Sequence, residues 1–544
     1  MIAIYFHPEA YSISGPRLMG RNAAGESFLR GFVRHAKTDA FWAQVEKPEH
    51  AKAFAAAVQS AGRPEPVRAL TNTGLAALAQ VGAVYYPGPG IGQHAWRRGL
   101  FGHEKWSLVG ITHTTASAGA MDAIEELITA PVQPWDAVIC TSRAVKNNVE
   151  RVLQAQADHL GQRLGATRLV LPRMPVIPLG IHTEDFVFTE AQRSQARQAI
   201  GADEQTLVVL FIGRLSFHAK AHPLAMYQAL ELAAEGRKVV LVECGWHAND
   251  YIRNAFTEAA RSACPSVRVV TLDGRNAQDR ATAWASADVF CSLSENIQET
   301  FGITPIEAMA DGLPVVVSDW DGYKDTVRDG VDGFVIPTLM PPAGLGGDLA
   351  AAHALETDTY DMYCGHSCTF CAVDVQTTAE AFRRLFASPG LRRQMGGEGR
   401  KRARAEYDWA AIIPRYEALC EELAGIRRQE ADKLPKLSHP WPARMDPFAA
   451  FSSYPTRTLT PETILELALP DAVKKLACWR SLAMVDFAKR VLPTQEECEA
   501  VLDALSSGPR PAGELVQRLP PGRQAFVFRA LAWMVKMGVL RVVA

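Results

Sequence analysis

Short apolar runs alternate with longer stretches of helical period along most of the chain. Residues 2–6, 107–112 and 137–141 are apolar and predict buried strands, while residues 25–35 between them repeat at helical spacing. The segment Val176-Ile-Pro-Leu-Gly-Ile181 closes this first series, and a polar linker follows. A second series has strands at 207–213, 238–243, 267–272, 289–293, 314–318 and 333–337, with a helix at 223–235. Strands that recur every ~25–35 residues with helices between them are βαβ units, so each series predicts a parallel sheet covered on both faces. Residues 407–427 then form a long amphipathic helix with Ile412, Ile413, Tyr416, Leu419 and Leu423 along one face, which Pro414 is expected to kink or split.

The texture changes after that helix. Residues 433–455 are rich in proline, serine and charge, as linkers are. Residues 494–508, 511–519 and 522–537 read as helices and 539–543 as a strand, the pattern of a small helix-turn-helix with a wing. A chain of 544 residues is too long for one hydrophobic core. The boundaries that follow are 1–190 for a first Rossmann-like domain, 191–428 for a second with its closing helix, 429–458 for the linker and 459–544 for the helical module.

Composition narrows the class. The chain is 48% hydrophobic and 21% charged with a formal net charge of -2, which is globular and argues against a whole-surface grip on nucleic acid. The start is apolar but lacks a basic lead, and no apolar run approaches the ~20 residues that cross a bilayer. Most of the ten cysteines are scattered in apolar contexts such as Val138-Ile-Cys140, the pattern of reduced thiols in a cytoplasmic protein. Residues 494–544 carry nearly balanced charge, so protein docking fits the terminal module better than DNA binding.

The stretch that carries chemistry is Glu299-Thr-Phe-Gly-Ile-Thr-Pro-Ile-Glu307-Ala-Met-Ala-Asp-Gly312. Pro305 suits the first turn of a helix and Gly312 its end. Such a helix start, preceded by Phe301-Gly302, offers backbone N–H groups to a diphosphate, and Gly302 allows close backbone approach. Glu299 lies on the loop before it. Glu307 has two readings: a ligand contact, or the closing member of a Thr304-x-x-Glu307 capping box.

This stretch resembles the donor-binding signature of family 4 glycosyltransferases of the GT-B fold, in which two Rossmann-like domains face each other across a cleft. Other segments follow in the family's order. Phe211-Ile-Gly213-Arg214-Leu215 with Lys220 looks like its strand ending in Gly-Arg-Leu plus a lysine, here one residue late and with His218 as a competitor. Residues 176–186 look like its interdomain turn, with Leu179 where Asn or Gly is usual. Ala24-Gly25-Glu-Ser-Phe-Leu29, after a glycine-containing loop over 15–25, resembles the start of its first helix, and Tyr407-Asp-Trp409 its closing helix. The resemblance covers about residues 1–427 and is dense from 176 to 337.

The resemblance implies a retaining hexosyltransferase that uses a nucleotide-sugar donor and needs no metal or other cofactor. Arg214 and Lys220 would neutralise the leaving diphosphate, Glu299 would hold the hexose, and Glu307 the donor ribose. His113, ending a strand of the first domain, would face sugar or acceptor. Gly213, Thr300, Phe301, Gly302, Ile303 and Gly25 complete the donor contacts. Acceptors in such a family are glycans, lipid-linked carriers or proteins. The alternatives are a sugar-nucleotide epimerase of the same fold and a non-catalytic sugar-nucleotide-binding scaffold.

Three further signals have ordinary explanations. Asp319-Trp-Asp321 reads as a solvated turn with Gly322 rather than a metal grip. Cys364, Cys368 and Cys371 match a cluster-binding spacing, but they fall in an insertion where the fold needs only a rim loop. The basic, aromatic residues 94–106 read as a loop with a buried aromatic anchor, with at most peripheral membrane or acceptor contact.

Overall fold

The computed structural model describes residues 1–11, 20–434 and 439–543, so residues 15–19 of the expected glycine-containing loop lie outside the described residues. The first sheet contains β1 (Ala3–Tyr5), β2 (Phe41–Gln44), β3 (Val67–Leu70), β4 (Ala83–Tyr85), β5 (Ser107–Ile111) and β6 (Ala137–Ile139). All pairings are parallel, in the order β3-β2-β1-β4-β5-β6. The second contains β7 (Leu207–Ile212), β8 (Val239–Gly245), β9 (Arg268–Asp273), β10 (Val289–Ser292), β11 (Val315–Ser318) and β12 (Gly333–Ile336). It is again wholly parallel, ordered β12-β11-β10-β7-β8-β9. Read within each lobe, the two orders are the same. Strands such as Val315-Val-Val-Ser318 are buried along their whole length, as sheets covered on both faces require.

Strands β2, β3 and β4 were not among the predicted elements. β3 is an edge strand whose middle residues are exposed, so it lacks the continuous apolar run of a central strand; β4 is short but apolar and fully buried, and was overlooked. After β12 the chain makes an excursion closed at its base by the antiparallel pair β13 (Thr338–Leu339) and β14 (Ala372–Val373). The excursion carries two helices, Gly347–Ala354 and Tyr360–Cys368.

The closing helix runs unbroken over Trp409–Glu430 with Pro414 inside it, so of the two expectations the split does not occur. Its apolar face is fully buried, and that packing offsets the one ladder hydrogen bond a proline removes. Trp409 at its start is wedged between two glycines: a Cβ on Gly31 would come within 2.4 Å of the indole, and one on Gly180 within 2.5 Å. The indole N–H donates to Ser27 Oγ at 2.8 Å, fixing the helix to the first lobe.

The chain divides into two compact units, 1–441 and 442–544. The smaller unit has the antiparallel sheet β15 (Ile464–Leu467), β16 (Arg510–Pro511) and β17 (Leu540–Val542), ordered β16-β15-β17. Against it pack the helices Gln495–Ala504, Ala512–Gln517 and Pro521–Lys536, giving a winged-helix-like module around Leu465, Val501, Leu531 and Met534. Among the described residues no helix is long and apolar enough to cross a membrane.

Candidate active site

Each sheet reverses its winding once, between β1 and β4 in one lobe and between β7 and β10 in the other. In doubly wound sheets the crevice at the carboxyl ends of the strands beside that reversal is where ligands bind. In the second lobe those ends carry Gly213-Arg214 after β7 and the segment 293–302 after β10, which leads into the helix Ile303–Asp311.

The N-cap of that helix is Gly302 at φ +75°, and no side chain caps it. Thr304 is the second helical residue, so the capping box does not form, and Glu307 falls in the second turn. A side chain at Gly302 would also meet Tyr323, whose Cε1 lies 1.9 Å from the Cβ position. The Tyr323 hydroxyl is hydrogen-bonded to Ser292 Oγ at 2.8 Å, so the ring cannot move aside cheaply. Gly302 is thus required by positive φ and by packing together, and the helix start is left with amides and no side chain.

Glu299 sits directly before this helix start. Lys220 Nζ lies 3.4 Å from Glu299 Oε2, and the Thr300 amide donates to Oε1 at 3.3 Å. Burial pushes the Glu299 carboxyl up, but Lys220 and the amides of Thr300 and Phe301 outweigh it and hold the group below its ordinary range. Arg214 donates through Nη2 to the Ala219 carbonyl at 3.2 Å and to Gln298 Oε1 at 3.4 Å, which ties it to the same loop. The Thr300 hydroxyl donates to the His113 carbonyl at 2.8 Å, bringing the end of β5 against this loop from the first lobe. Glu299, Lys220, Arg214, Thr300 and His113 therefore converge. His218 presents its carbonyl to Asn296 Nδ2 at 3.1 Å.

Glu307 lies further along the same helix, and burial raises it to about 7, partly offset by Arg280. Gly25 lies inside the helix Gly20–His35, where a Cβ would come within 2.0 Å of the Ala10 carbonyl oxygen. That glycine serves the packing of the helix on the turn Pro8–Ala10.

Sequence reasoning missed two buried carboxyls beside the site. Glu295 accepts the His222 amide through both oxygens, at 3.0 and 3.3 Å, and burial raises it to about 8. Asp321, expected in a solvated turn, is instead held at φ +46° with Oδ1 accepting from Ser142 Oγ at 3.3 Å and Oδ2 buried without a partner. Burial raises it well above the carboxylate range. No local signal marks Asp321, because its cover comes from a residue 179 positions away.

The remaining sequence signals resolve into packing. Cys364 and Cys368 are buried on the helix Tyr360–Cys368, and burial pushes their thiols up to about 11 and about 12. Among the described residues no group of three His, Cys, Asp or Glu is placed to hold a metal ion. Residues 94–106 are partly helical (Gly92–Gly99), with Trp106 buried and Arg98 paired to Asp136 in the core.

Two doubly wound lobes of identical strand order, joined through the Thr300 loop and the closing helix, define the GT-B class. Residues 192–341 match the family model described as glycosyl transferases group 1. That segment holds β7 to β12 with Arg214, Lys220, Glu299 and Glu307, so the similarity to this family falls on the second lobe and its candidate site. Similar proteins include the D-inositol 3-phosphate glycosyltransferase of Mycobacterium marinum, 26% identical over 250 residues covering 45% of this chain and 52% of that one. The enzyme of the same name from Nocardia farcinica is 27% identical over 259 residues, covering 45% and 54%. The chain thus spans about half the length of the curated relatives it matches. Among solved structures, Anabaena HepE in complex with UDP aligns with 77% of this chain and 99% of its own at 16% identity and a TM-score of 0.48.

Proposed function

We propose that the protein is a retaining glycosyltransferase that moves a hexose from a nucleoside diphosphate sugar to a glycan, lipid-linked or protein acceptor. The observation that carries this reading is Glu299, kept ionised between Lys220 and the amides of Thr300 and Phe301 at the winding reversal of the second lobe.

The amides at the start of Ile303–Asp311 bind the diphosphate, and Arg214 and Lys220 neutralise the charge that develops on it as the glycosidic bond breaks. Glu299 accepts hydrogen bonds from hexose hydroxyls, and Glu307 from the ribose. The acceptor hydroxyl attacks the anomeric carbon on the face the diphosphate leaves. Its proton passes to the departing phosphate oxygen, so the products are the glycoside and the protonated nucleoside diphosphate. His113, at the end of β5, contacts hexose or acceptor from the other lobe. The protein's own cations supply the charge stabilisation, so no metal is needed. The reaction takes place in the cytoplasm, and the terminal module docks a protein partner.

The test is turnover of a panel of UDP-, GDP- and ADP-hexoses by the full chain in the presence of a metal chelator, with and without an acceptor extract. Transfer, or slow hydrolysis, of one donor with retention supports the reading. Formation of an epimeric donor would make the protein an epimerase, and tight donor binding with no turnover on any acceptor would make it a scaffold.

A further inference from the structure

The helix Tyr360–Cys368, carried by the excursion between β13 and β14, is seated on the cationic side of the cleft. Its anchor is close contact with the loop after β7: a Cβ on Gly365 would meet His218 Cβ at 2.9 Å, and the Cys368 thiol donates to the His218 carbonyl at 3.9 Å. The hairpin behind it is braced by stacking of Tyr363 on His353 at 4.1 Å, and His366 Nδ1 lies 2.8 Å from Asp358 Oδ2.

What this helix presents to the cleft is its first turn. Tyr360 reaches across to the first lobe, its hydroxyl 3.2 Å from Thr114 Oγ1, one residue beyond His113. It also hydrogen-bonds Gln298, the residue that receives Arg214. Asp361 places Oδ2 3.9 Å from Arg214 Nη1. The first turn is where a helix favours a carboxylate, so Asp361 is held there by its own helix as well as by Arg214. A carboxylate stands beside the cation that a diphosphate would need, and a phenol links that cation's neighbour to the opposite lobe.

We propose that Tyr360–Cys368 is a latch over the donor cleft: Tyr360 ties the excursion to Thr114, and Asp361 occupies Arg214 until a nucleoside diphosphate displaces it. This rests on the transferase reading and adds to it that Asp361 is a positioning residue acting through Arg214 to set donor affinity. A dianionic diphosphate must outcompete one carboxylate and then tolerate it nearby. Both effects weaken binding, and both vanish when that side chain loses its charge.

The experiment is calorimetric titration of UDP, GDP and ADP into the full chain, wild type and Asp361→Asn, with Asp361→Glu as the conservative control. For whichever nucleotide binds, Asp361→Asn is expected to lower Kd about fivefold, the effect of removing a partly exposed like charge near the ligand, and Asp361→Glu to return it towards wild type. In kinetics the donor KM falls by the same factor while kcat holds. Hydrogen exchange across 347–368 should rise on nucleotide binding, which a helix with a purely structural role would not show. An unchanged or raised Kd in Asp361→Asn, with wild type binding normally, overturns the latch alone. Failure of wild type to bind any of the three nucleotides overturns the transferase reading and the latch with it.

Discussion

The two lobes share a strand order and differ in what they bury. In the second lobe the carboxyls of Glu243, Glu295, Glu307, Asp311 and Asp321 are all raised by burial, the first four to about 7, 8, 7 and 6. At the carboxyl ends of β1, β2 and β4 the first lobe gathers phenols and imidazoles instead. Tyr86 stacks on His94 at 3.7 Å, with Tyr5 5.3 Å from Tyr86 and the Tyr5 hydroxyl on Glu46. Its buried acid, Asp136, is fully neutralised: Arg98 donates to both carboxylate oxygens and the amides of Leu108 and Gln133 donate at 2.8 and 2.7 Å. Topology decides where a crevice forms; the side chains along its edge decide what it does. The first lobe's buried acid is matched by an arginine and two amides, whereas Glu295 and Asp321 of the second lobe stay poorly solvated beside the cleft. Asp311 and Asp332 of that lobe are paired, with Arg193 and with Arg328 and Arg402.

That contrast can be broken by mutation. The largest effect is expected in the first lobe, from Asp136→Ala. It strands Arg98, whose side chain is 0% exposed, and costs about 3–5 kcal/mol in urea unfolding. A loss below about 1 kcal/mol would show that the pair is not the first lobe's polar anchor. Next is Gly302→Ala, which combines positive φ with the 1.9 Å approach of Tyr323 and should cost about 3 kcal/mol. The control is Gly62→Ala in the first lobe, also at positive φ (+71°) but with nothing within 4 Å, expected to lose about 1 kcal/mol. Equal losses would remove packing from the account of Gly302.

The smallest effect is a pH dependence. Glu307 has a folded pKa near 7 against an ordinary 4.5, so its neutral form is the one folding favours. Stability from this group is intact below about pH 4.5 and is lost as pH rises through 7. Glu307→Gln should therefore leave unfolding free energy nearly unchanged at pH 5 and raise it by about 1 kcal/mol at pH 8, the full shift being reduced by partial exposure. A gain that is larger at pH 5 than at pH 8 would reverse the sign of the argument.

Legibility followed the same division. The strands of the second lobe could be read within a residue or two because all but the edge strand β9 are apolar runs buried almost throughout, as in Leu207-Val-Val-Leu-Phe-Ile212. In the first lobe β3 has two exposed residues of four, so period alone does not separate it from a loop. The segment from Glu299 to Gly312 was legible because its chemistry is contiguous: a loop acid, a glycine N-cap, a proline in the first turn and a glycine at the end. Asp321 and Tyr360 were not, since their meaning depends on Ser142 and Thr114 in the other lobe, and sequence spacing does not encode that approach. Pro414 shows the opposite case: a strong local breaker does not split a helix whose face is packed into the core.

The central claim is that an ionised Glu299, beside Lys220 and an uncapped helix start, works on a donor sugar. It is tested most directly by initial rates of donor turnover for wild type and Glu299→Gln, with thermal melting of both. The account predicts a kcat lower by about 100-fold or more with Tm shifted by no more than about 2 °C, because the substitution keeps shape and removes only charge. A variant that turns over donor at the wild-type rate would contradict it.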